Sequence, residues 1–157
     1  MPNIPSLVGA GFNVYNFGRY MRPEGKEWTR NLLEALGEYR EIDEEKMETY
    51  SMLSAMGPTY FLPFVDSLIE FGEREGLSQE EARSAVASTL GGTAQLISQI
   101  KRPVEEIKNL IGTQPLQKRE TELRTVLAEE LCRTLQQMRS AKETFNRIAH
   151  GSMRSSH

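Results

Sequence analysis

The feature that most constrains the fold is an unbroken apolar stripe near the C-terminal end of the chain. Apolar side chains recur every three to four residues from Lys118 to His150, and neither glycine nor proline interrupts the run. This spacing predicts one long amphipathic helix. The apolar positions are Leu123, Leu127, Leu131, Leu135, Met138, Ala141, Phe145 and Ile148.

The predicted length of this helix has a consequence for assembly. At ~1.5 Å per residue the helix would be ~45 Å long, whereas a compact globule made of this chain would be roughly 40 Å across. A single copy would therefore leave part of the stripe uncovered. We expect the long helices of two copies to cover each other in a homodimer.

The composition argues against several classes of partner and site. The 157 residues carry 19 Lys and Arg against 22 Asp and Glu, a net charge of −3, which gives no electrostatic case for binding nucleic acid. Cys132 is the single cysteine, and His150 and His157 lie close to the C-terminus, so we expect no disulfide and no metal site. No apolar run approaches the ~20 residues that span a bilayer, so we expect no membrane segment and a cytoplasmic location.

The middle of the chain reads as a series of helices. Asp43 is positioned to cap a helix that runs to about Ala55, and Pro58 suits the first turn of an apolar helix that contains Pro63. We expect this second helix to be buried, because its apolar residues surround most of its circumference. Ser78 and Glu81 have the spacing of a capping box, which predicts a further helix to about Ile100.

The N-terminal region predicts two strands. Residues 7–17, "LVGAGFNVYNF", and residues 38–43, "EYREID", are rich in sheet-forming residues, and a helix over 26–36 with a C-cap at Gly37 separates them. "GAG" is not a dinucleotide-binding turn, because Val14 replaces the third glycine and a strand follows instead of a helix. Two strands alone are marginal in water. We therefore expect them to be edge strands of a larger sheet, in a protein that has begun before Met1.

The order of these motifs resembles the back half of pyrroline-5-carboxylate reductase. "MPNIPSLVGAG" is similar to the family's Met-Pro-Asn-Thr-Pro segment, and "MLSAMGPTYF" is similar to its Leu-Ser-Gly-Ser-Gly-Pro-Ala-Tyr motif. "LGEYREIDEEKME", "GLSQEEA" and "TLGGTAQLI" follow the family's order and spacing. The resemblance covers residues 1–148.

The resemblance implies a mainly α fold: an interlocking helical dimerisation domain preceded by two short strands left over from a Rossmann-type sheet. It predicts three segments: a remnant of the dinucleotide-binding domain (1–42), the helical dimerisation and substrate domain (43–150), and a flexible tail (151–157). The family reduces 1-pyrroline-5-carboxylate to L-proline with NADPH or NADH. The positions that match family residues near the nicotinamide are Pro2, Asn3, Ser54, Gly57 and Pro58; read from the residues alone, they shape a strand end and a helix start.

The chain departs from the family in the substrate loop. The family's Thr-Ser-Pro-Gly-Gly-Thr-Thr is "TQPLQKR" here: Thr113 and Pro115 match, but Lys118 and Arg119 replace the two threonines, and both glycines are lost. No catalytic residue can therefore be carried over. Lys118 and Arg119 form either an anion site at a helix N-terminus or an ordinary solvated helix start paired with Glu122, and the pattern favours the second.

Three functions remain open at this stage. The chain is the dimerisation and substrate portion of a reductase, inactive without a separate nucleotide-binding half because nothing in it would hold NAD(P)H. Alternatively, it is a non-catalytic helical dimer module that has lost the loop. The third possibility is a fragment of a divergent oxidoreductase for another small anionic substrate, with Lys118 or Arg119 as the clamp.

Overall fold

A computed structural model describes residues 1–154 of the chain. Residues 155–157 and the side chains of 146 and 149–154 lie outside the description, and with them His150, His157 and most of the expected tail over 151–157. The elements are β1 (Gly11–Tyr15), α1 (Pro23–Ala35), β2 (Gly37–Glu41), α2 (Met47–Tyr50), α3 (Gly57–Arg74), α4 (Gln79–Gln99), α5 (Val104–Lys108) and α6 (Glu120–Arg154), with 3-10 turns at Ile4–Val8, Glu44–Lys46 and Gln117–Arg119 and a π-helical turn at Ser51–Ala55. The described part of the chain is thus mainly helical, as expected.

The chain divides into two compact units. The first unit contains residues 1–58 together with the chain from Glu122 onward, and the second contains Thr59–Thr121. Both strands, α1, α2 and most of α6 belong to the first unit, whereas α4 and α5 belong to the second.

The two strands pair in parallel, and α1 connects them. Gly11 lies opposite Gly37 at the start of the ladder, and Tyr15 lies opposite Glu41 at its end. A Cβ at Gly37 would lie 2.5 Å from both the N and O atoms of Gly11, and Gly37 has a φ of +123°. The backbones thus approach at a distance that only glycine permits.

The first strand is shorter than the predicted strand over 7–17. Ile4–Val8 form a 3-10 turn that ends at Gly9, which adopts the left-handed conformation with a φ of 68°. The amides of Gly9 and Ala10 donate to the carbonyls of Ser6 and Pro5, which satisfies the end of the turn. Only from Gly11 does the backbone extend, so the glycines of "VGAG" end a turn and start a strand.

Gly37 is also not the predicted C-cap of α1. Leu36 caps that helix in the right-handed conformation, and Gly37 is already the first residue of β2. Its positive φ serves the close contact with Gly11.

The predicted helix from Asp43 to Ala55 is broken into a 3-10 turn, one turn of α-helix and a π-helical turn. Asp43 does not cap it through its side chain. Its carboxylate accepts a hydrogen bond from Lys46 Nζ at 2.7 Å instead, which lowers the pKa of Asp43. The ion pair within the turn thus replaces the expected cap.

The connection between α3 and α4 follows the predicted signals closely. Gly76, with a φ of +97°, ends α3: its amide donates to the Glu73 carbonyl and the amide of Leu77 donates to that of Gly72. Ser78 then caps α4, and the capping box with Glu81 is complete in both directions. Because α3 continues through Gly72, this glycine packs against α4: a Cβ there would lie 2.9 Å from Ala82 Cβ.

The long terminal helix is present and contains 35 residues, which at 1.5 Å per residue corresponds to about 52 Å. Lys142 of α6 donates to Glu48 at 2.5 Å, an ion pair within the first unit. Apolar side chains at both ends of the predicted stripe stay exposed, namely Leu123 at 37% and Ile148 at 67%. None of the helices in residues 1–154 has the length and apolar character needed to cross a membrane.

Candidate functional site

The residues singled out from the sequence fall into two clusters. The first, Pro2, Asn3, Ser54, Gly57 and Pro58, lies in the first unit and is called the N-terminal cluster. The second, Thr113, Pro115, Lys118 and Arg119, lies in the second unit and is called the loop cluster.

Asn3 holds the N-terminal cluster together. Its Nδ2 donates to the Ser54 carbonyl at 3.2 Å, across 51 residues of sequence. Its Oδ1 accepts from the backbone amide of Phe12 at 3.2 Å. One side chain therefore links the π-helical turn to the first residues of β1.

Ser54 lies in the π-helical turn Ser51–Ala55. The Met56 amide donates to the Ser51 carbonyl at 3.0 Å, which closes the wide turn. The Ser54 hydroxyl donates back to the Tyr50 carbonyl at 2.9 Å, so it is already engaged as a donor within the helix. Single π-helical turns occur frequently at functional sites because they redirect side chains.

Gly57 and Pro58 follow this turn at the start of α3. Gly57 is buried, yet a Cβ added to it would meet no atom within 4 Å. Packing within the chain therefore does not require glycine there, and the space beside it is open. Pro58 is half-buried and Pro2 is exposed.

A polar network that was not predicted from the sequence lies behind this cluster. Asn13 is fully buried and its Nδ2 donates to the Leu36 and Glu38 carbonyls at 3.3 and 3.4 Å. The Ser6 hydroxyl donates to Asn13 Oδ1 at 2.8 Å. The signal was an asparagine between aromatic and β-branched strand residues, where a polar side chain needs a buried partner.

Met1 and Ser51 also belong to this region. The Met1 amino group donates to the Val14 carbonyl at 2.6 Å, and burial lowers its pKa. The Ser51 hydroxyl donates to Met1 Sδ at 2.9 Å. These contacts join the first residue to the π-helical turn and to β1.

The loop cluster is organised by residues other than the predicted ones. Lys118 and Arg119 lie in the 3-10 turn that leads into α6, and both are exposed, as are Thr113 and Pro115. Gln114 Nε2 donates to the Lys108 carbonyl at 3.1 Å, so this side chain covers the end of α5.

Lys108 makes the ion pairs that fix the loop. Its Nζ lies 3.0 Å from Glu105 and 2.5 Å from Glu120, which begins α6. The hydrogen bonds that Lys108 donates to Glu120 and, to a lesser degree, to Glu105 raise the pKa of Lys108. The segment between α5 and α6 is thus closed by a lysine that the sequence analysis did not single out.

The second unit also carries an exposed apolar groove between α3 and α4. Its volume is about 340 Å³, and it is lined by Phe61, Phe64, Val65, Leu68, Ala85, Val86, Thr89, Leu90 and Thr93. Phe64 is 50% exposed and Leu68 is 55% exposed. The expectation that α3 is buried is therefore wrong for a single chain: its apolar circumference is wider than one neighbouring helix can cover.

No metal-binding group of three or more His, Cys, Asp or Glu side chains occurs in residues 1–154. Cys132 is free and exposed on α6.

Comparison with known proteins shows which protein family this architecture resembles. Residues 44–114 match the family model "pyrroline-5-carboxylate reductase dimerisation". The helical stretch 44–114 therefore matches the dimerisation domain of the pyrroline-5-carboxylate reductase family. The matched range contains the π-helical turn, α3, α4 and α5, and it ends at the start of the loop cluster.

Relatives extend the similarity beyond the matched domain. The pyrroline-5-carboxylate reductase of Mycobacterium tuberculosis is 33% identical over 97 residues, which are 62% of this chain and 33% of that protein. Pyrroline-5-carboxylate reductase 1 of Bacillus subtilis is 30% identical over 111 residues, 71% of this chain and 37% of that protein. This chain therefore spans about a third of the length of the curated relatives it matches.

Solved structures of the family share the fold. Plasmodium falciparum pyrroline carboxylate reductase, crystallised with NADP bound, superposes with a TM-score of 0.72 at 28% identity and covers 88% of this chain and 61% of that one. The Streptococcus pyogenes enzyme gives a TM-score of 0.76 at 17% identity, which supports the fold alone. The helical domain with a remnant of a Rossmann-type sheet is thereby confirmed.

Proposed function

We propose that the chain is the C-terminal dimerisation and substrate-cleft portion of an NAD(P)H-dependent reductase that converts 1-pyrroline-5-carboxylate to L-proline. The observation that carries the proposal is the family match over 44–114, supported by the Asn3–Ser54 hydrogen bond. That bond brings together two positions that match nicotinamide-side residues of the family. We keep the boundaries 1–42 and 43–150 for the two domains, and a cytoplasmic location, as predictions.

The proposed cofactor role of the N-terminal cluster is one of positioning. Pro2, Asn3, Ser54, Gly57 and Pro58 would contact the nicotinamide end of NAD(P)H, which supplies the hydride when bound. The open space beside Gly57 is consistent with a neighbour outside the chain. The rest of the dinucleotide needs a phosphate-binding turn, which we assign to a separate nucleotide-binding half.

The proposed homodimer uses the two exposed apolar surfaces described above. In it, the α3–α4 groove and the stripe of α6 would be covered by a second copy. The name of the matched family model supports this assembly. Exposed apolar patches of this kind on a protein usually mark an interaction site.

The reductase proposal is tested by reconstitution. The chain is mixed with the portion of the Mycobacterium tuberculosis relative that precedes its matched stretch, and NADPH oxidation is followed with and without 1-pyrroline-5-carboxylate. Substrate-dependent oxidation by the mixture, absent from either component alone, is expected. A stable complex that never turns over would contradict the reductase proposal.

A second candidate function, a non-catalytic helical dimer module, is favoured by the loop cluster. Leu116 and Gln117 stand where the family has glycines, and the segment is closed by Gln114 and by the ion pairs of Lys108. The decisive variant restores the family residues: Leu116→Gly, Gln117→Gly, Lys118→Thr and Arg119→Thr together. If the complex of the restored variant oxidises NADPH and the complex of the natural chain does not, the natural chain is a non-catalytic dimer module. If the complex of the natural chain oxidises NADPH, the module function is excluded.

Binding of another small anion by Lys118 and Arg119 remains the third proposal. It predicts that the natural complex oxidises NADPH with a different small carboxylate substrate and that Lys118→Thr abolishes this activity.

A further inference from the structure

We propose that Ser6 is a positioning residue of the N-terminal cluster. Its hydroxyl joins two asparagine side chains and thereby fixes the π-helical turn, beside which the nicotinamide end of NAD(P)H would bind. This role rests on the proposed function, because that function assigns the N-terminal cluster to the cofactor. All the residues involved belong to the first unit.

Asn13 needs a hydrogen-bond donor for its buried side-chain oxygen. The side chain is fully buried, and its Nδ2 donates to the Leu36 and Glu38 carbonyls at 3.3 and 3.4 Å. The Ser6 hydroxyl donates to Asn13 Oδ1 at 2.8 Å. Without that hydroxyl, a buried amide oxygen would lose its donor, which is unfavourable.

Ser6 also holds Asn3, through both its backbone and its side chain. The Ser6 amide donates to the Asn3 carbonyl at 3.0 Å. Ser6 Oγ lies 3.4 Å from Asn3 Oδ1, compared with 2.8 Å from Asn13 Oδ1. Because a hydroxyl has a single hydrogen to donate, the shorter distance favours Asn13, and Asn3 Oδ1 makes the longer contact with the same hydroxyl.

Gly11 leaves the space that this hydroxyl occupies. Gly11 is buried, and a Cβ added to it would lie 2.1 Å from Ser6 Oγ and 2.9 Å from Asn13 Nδ2. The same glycine makes the close backbone contact with Gly37. The hydrogen bond between Ser6 and Asn13 is therefore part of the packing around β1.

Asn3 transmits this constraint to the π-helical turn. Its Oδ1 accepts from the Phe12 amide at 3.2 Å, and its Nδ2 donates to the Ser54 carbonyl at 3.2 Å. The carboxamide is planar, so contacts that fix Oδ1 also fix the direction in which Nδ2 donates. Ser54 is thereby held three residues before Gly57, beside which the space is open.

The placement of this turn matters because the N-terminal cluster would hold only one end of the cofactor. The phosphate-binding turn is assigned to a separate half, so the nicotinamide end would depend on Asn3 and Ser54 for its placement. A displacement of the reacting atoms by about 1 Å can slow a reaction by roughly 100-fold. Loss of the Ser6 hydroxyl should therefore slow hydride transfer more than it weakens cofactor binding.

The first test uses the chain without cofactor. Amide hydrogen exchange is measured by NMR for the natural chain, Ser6→Ala and Ser140→Ala. Ser140 is exposed on α6 in the first unit, so its replacement is a matched control for the loss of one serine hydroxyl. Circular dichroism checks that the variants are folded. Should Ser6→Ala not fold, Ser6→Cys replaces it, since a thiol is a weaker donor than a hydroxyl.

Two amides report on the constraint and a third reports on the sheet. We expect the Phe12 and Met56 amides to exchange about fivefold faster or more in Ser6→Ala, and by a smaller factor in Ser6→Cys. The Ile42 amide, which donates to the Tyr15 carbonyl, should keep its natural rate. Natural rates at Phe12 and Met56 would overturn the positioning role. Equal acceleration at all three amides would also overturn it, because that pattern indicates a general loss of stability.

The second test uses the complex with the portion of the Mycobacterium tuberculosis relative that precedes its matched stretch. The rate constant for NADPH oxidation is measured in a single turnover, with the complex in saturating excess and 1-pyrroline-5-carboxylate present. This rate constant does not change when only part of the protein is folded. We expect it to fall about fivefold or more in Ser6→Ala and to be unchanged in Ser140→Ala.

The complex concentration that gives half of the maximal rate should change by less than about twofold in Ser6→Ala, because the phosphate end of the cofactor is held elsewhere. Equal rate constants for Ser6→Ala and the natural chain would overturn the positioning role. If the natural complex does not oxidise NADPH, the proposed function fails, and the exchange rates alone decide whether Ser6 fixes the turn. The two ideas therefore fail separately.

Discussion

Asn3 shows how one side chain in this molecule organises a site. It donates to the Ser54 carbonyl and accepts from the Phe12 amide, so it fixes the π-helical turn relative to β1. The resemblance singled out Asn3 as a cofactor-side residue. The structure adds a contact that a sequence pattern does not contain, since 51 residues separate the partners.

Replacing Asn3 should therefore destabilise the first unit. Asn3→Ala removes both hydrogen bonds and leaves the Phe12 amide unpaired, which costs about 1–3 kcal/mol of the free energy of unfolding. Urea denaturation at a fixed protein concentration measures it. The control is Asn31→Ala, at an exposed position of α1, which should change stability by less than about 0.5 kcal/mol. Equal effects of both variants would contradict the bracing role of Asn3.

Gly37 gives a second prediction at the scale of single residues. Gly37→Ala would place a Cβ 2.5 Å from the Gly11 backbone at a φ of +123°, so we expect a loss of more than about 2 kcal/mol in the free energy of unfolding. Gly18→Ala is the control, because a Cβ there meets nothing within 4 Å. If Gly37→Ala were as stable in urea as the natural chain, the prediction would be wrong, because the two strands could then separate at little cost.

Among the elements, local chemistry determined which predictions succeeded. The capping box of Ser78 and the long helix that carries the α6 stripe depend on neighbours in sequence, and both are confirmed. The strand over 7–17 was wrong in extent, whereas the helix over 43–55 has nearly the predicted extent but consists of a 3-10 turn, one α-helical turn and a π-helical turn. Their real conformations depend on distant contacts, such as Gly11 with Gly37 and Asn3 with Ser54, which no local pattern reveals.

The capping box provides a test of one element. Ser78→Ala removes the acceptor for the Glu81 amide and should lower the free energy of unfolding by about 1 kcal/mol. Ser84→Ala, within α4 and exposed, is the matched control and should be neutral or slightly stabilising. The free energies of unfolding of the two variants are compared by urea denaturation at the same protein concentration. Equal values would contradict the stabilising role of the Ser78 cap.

The same box predicts a dependence on pH. Hydrogen bonds from Ser78 lower the pKa of Glu81 in the folded chain. A lowered folded pKa stabilises the protein above the unfolded value of about 4.3 and is lost as the pH falls through the folded value. The difference between the natural chain and Ser78→Ala should therefore be smaller at about pH 3 than at about pH 7. A difference that grows on acidification would have the wrong sign.

At the scale of the whole molecule, the exposed apolar surfaces are the basis of the proposed homodimer. The sequence predicted that the stripe of α6 would need a second copy, and the structure of one chain leaves parts of that stripe exposed. It also shows the α3–α4 groove, which the sequence analysis took for buried core. Periodicity identifies which residues are apolar, but it does not tell whether the covering atoms belong to the same chain.

The homodimer is tested by light scattering at micromolar concentration. We expect twice the chain mass of 17.8 kDa for the natural chain and for the control Leu110→Asp, in which the replaced leucine is 69% exposed. Leu68→Glu places a charge in the groove, where Leu68 is 55% exposed, and should weaken dimerisation at least tenfold because a buried unpaired charge is strongly unfavourable. A folded, monomeric natural chain would refute the homodimer.

The contact between Gly11 and Gly37 also limits how this sequence can vary. A side chain gained at Gly37 cannot be balanced by trimming Gly11, since Gly11 has no atom left to remove. A side chain gained at Gly11 would meet the Leu36 carbonyl oxygen at 2.7 Å, a backbone atom that no substitution removes. A second substitution at the partner glycine therefore cannot compensate for the first. Any variant of this chain that retains the parallel pairing of its two strands should carry glycine at both places.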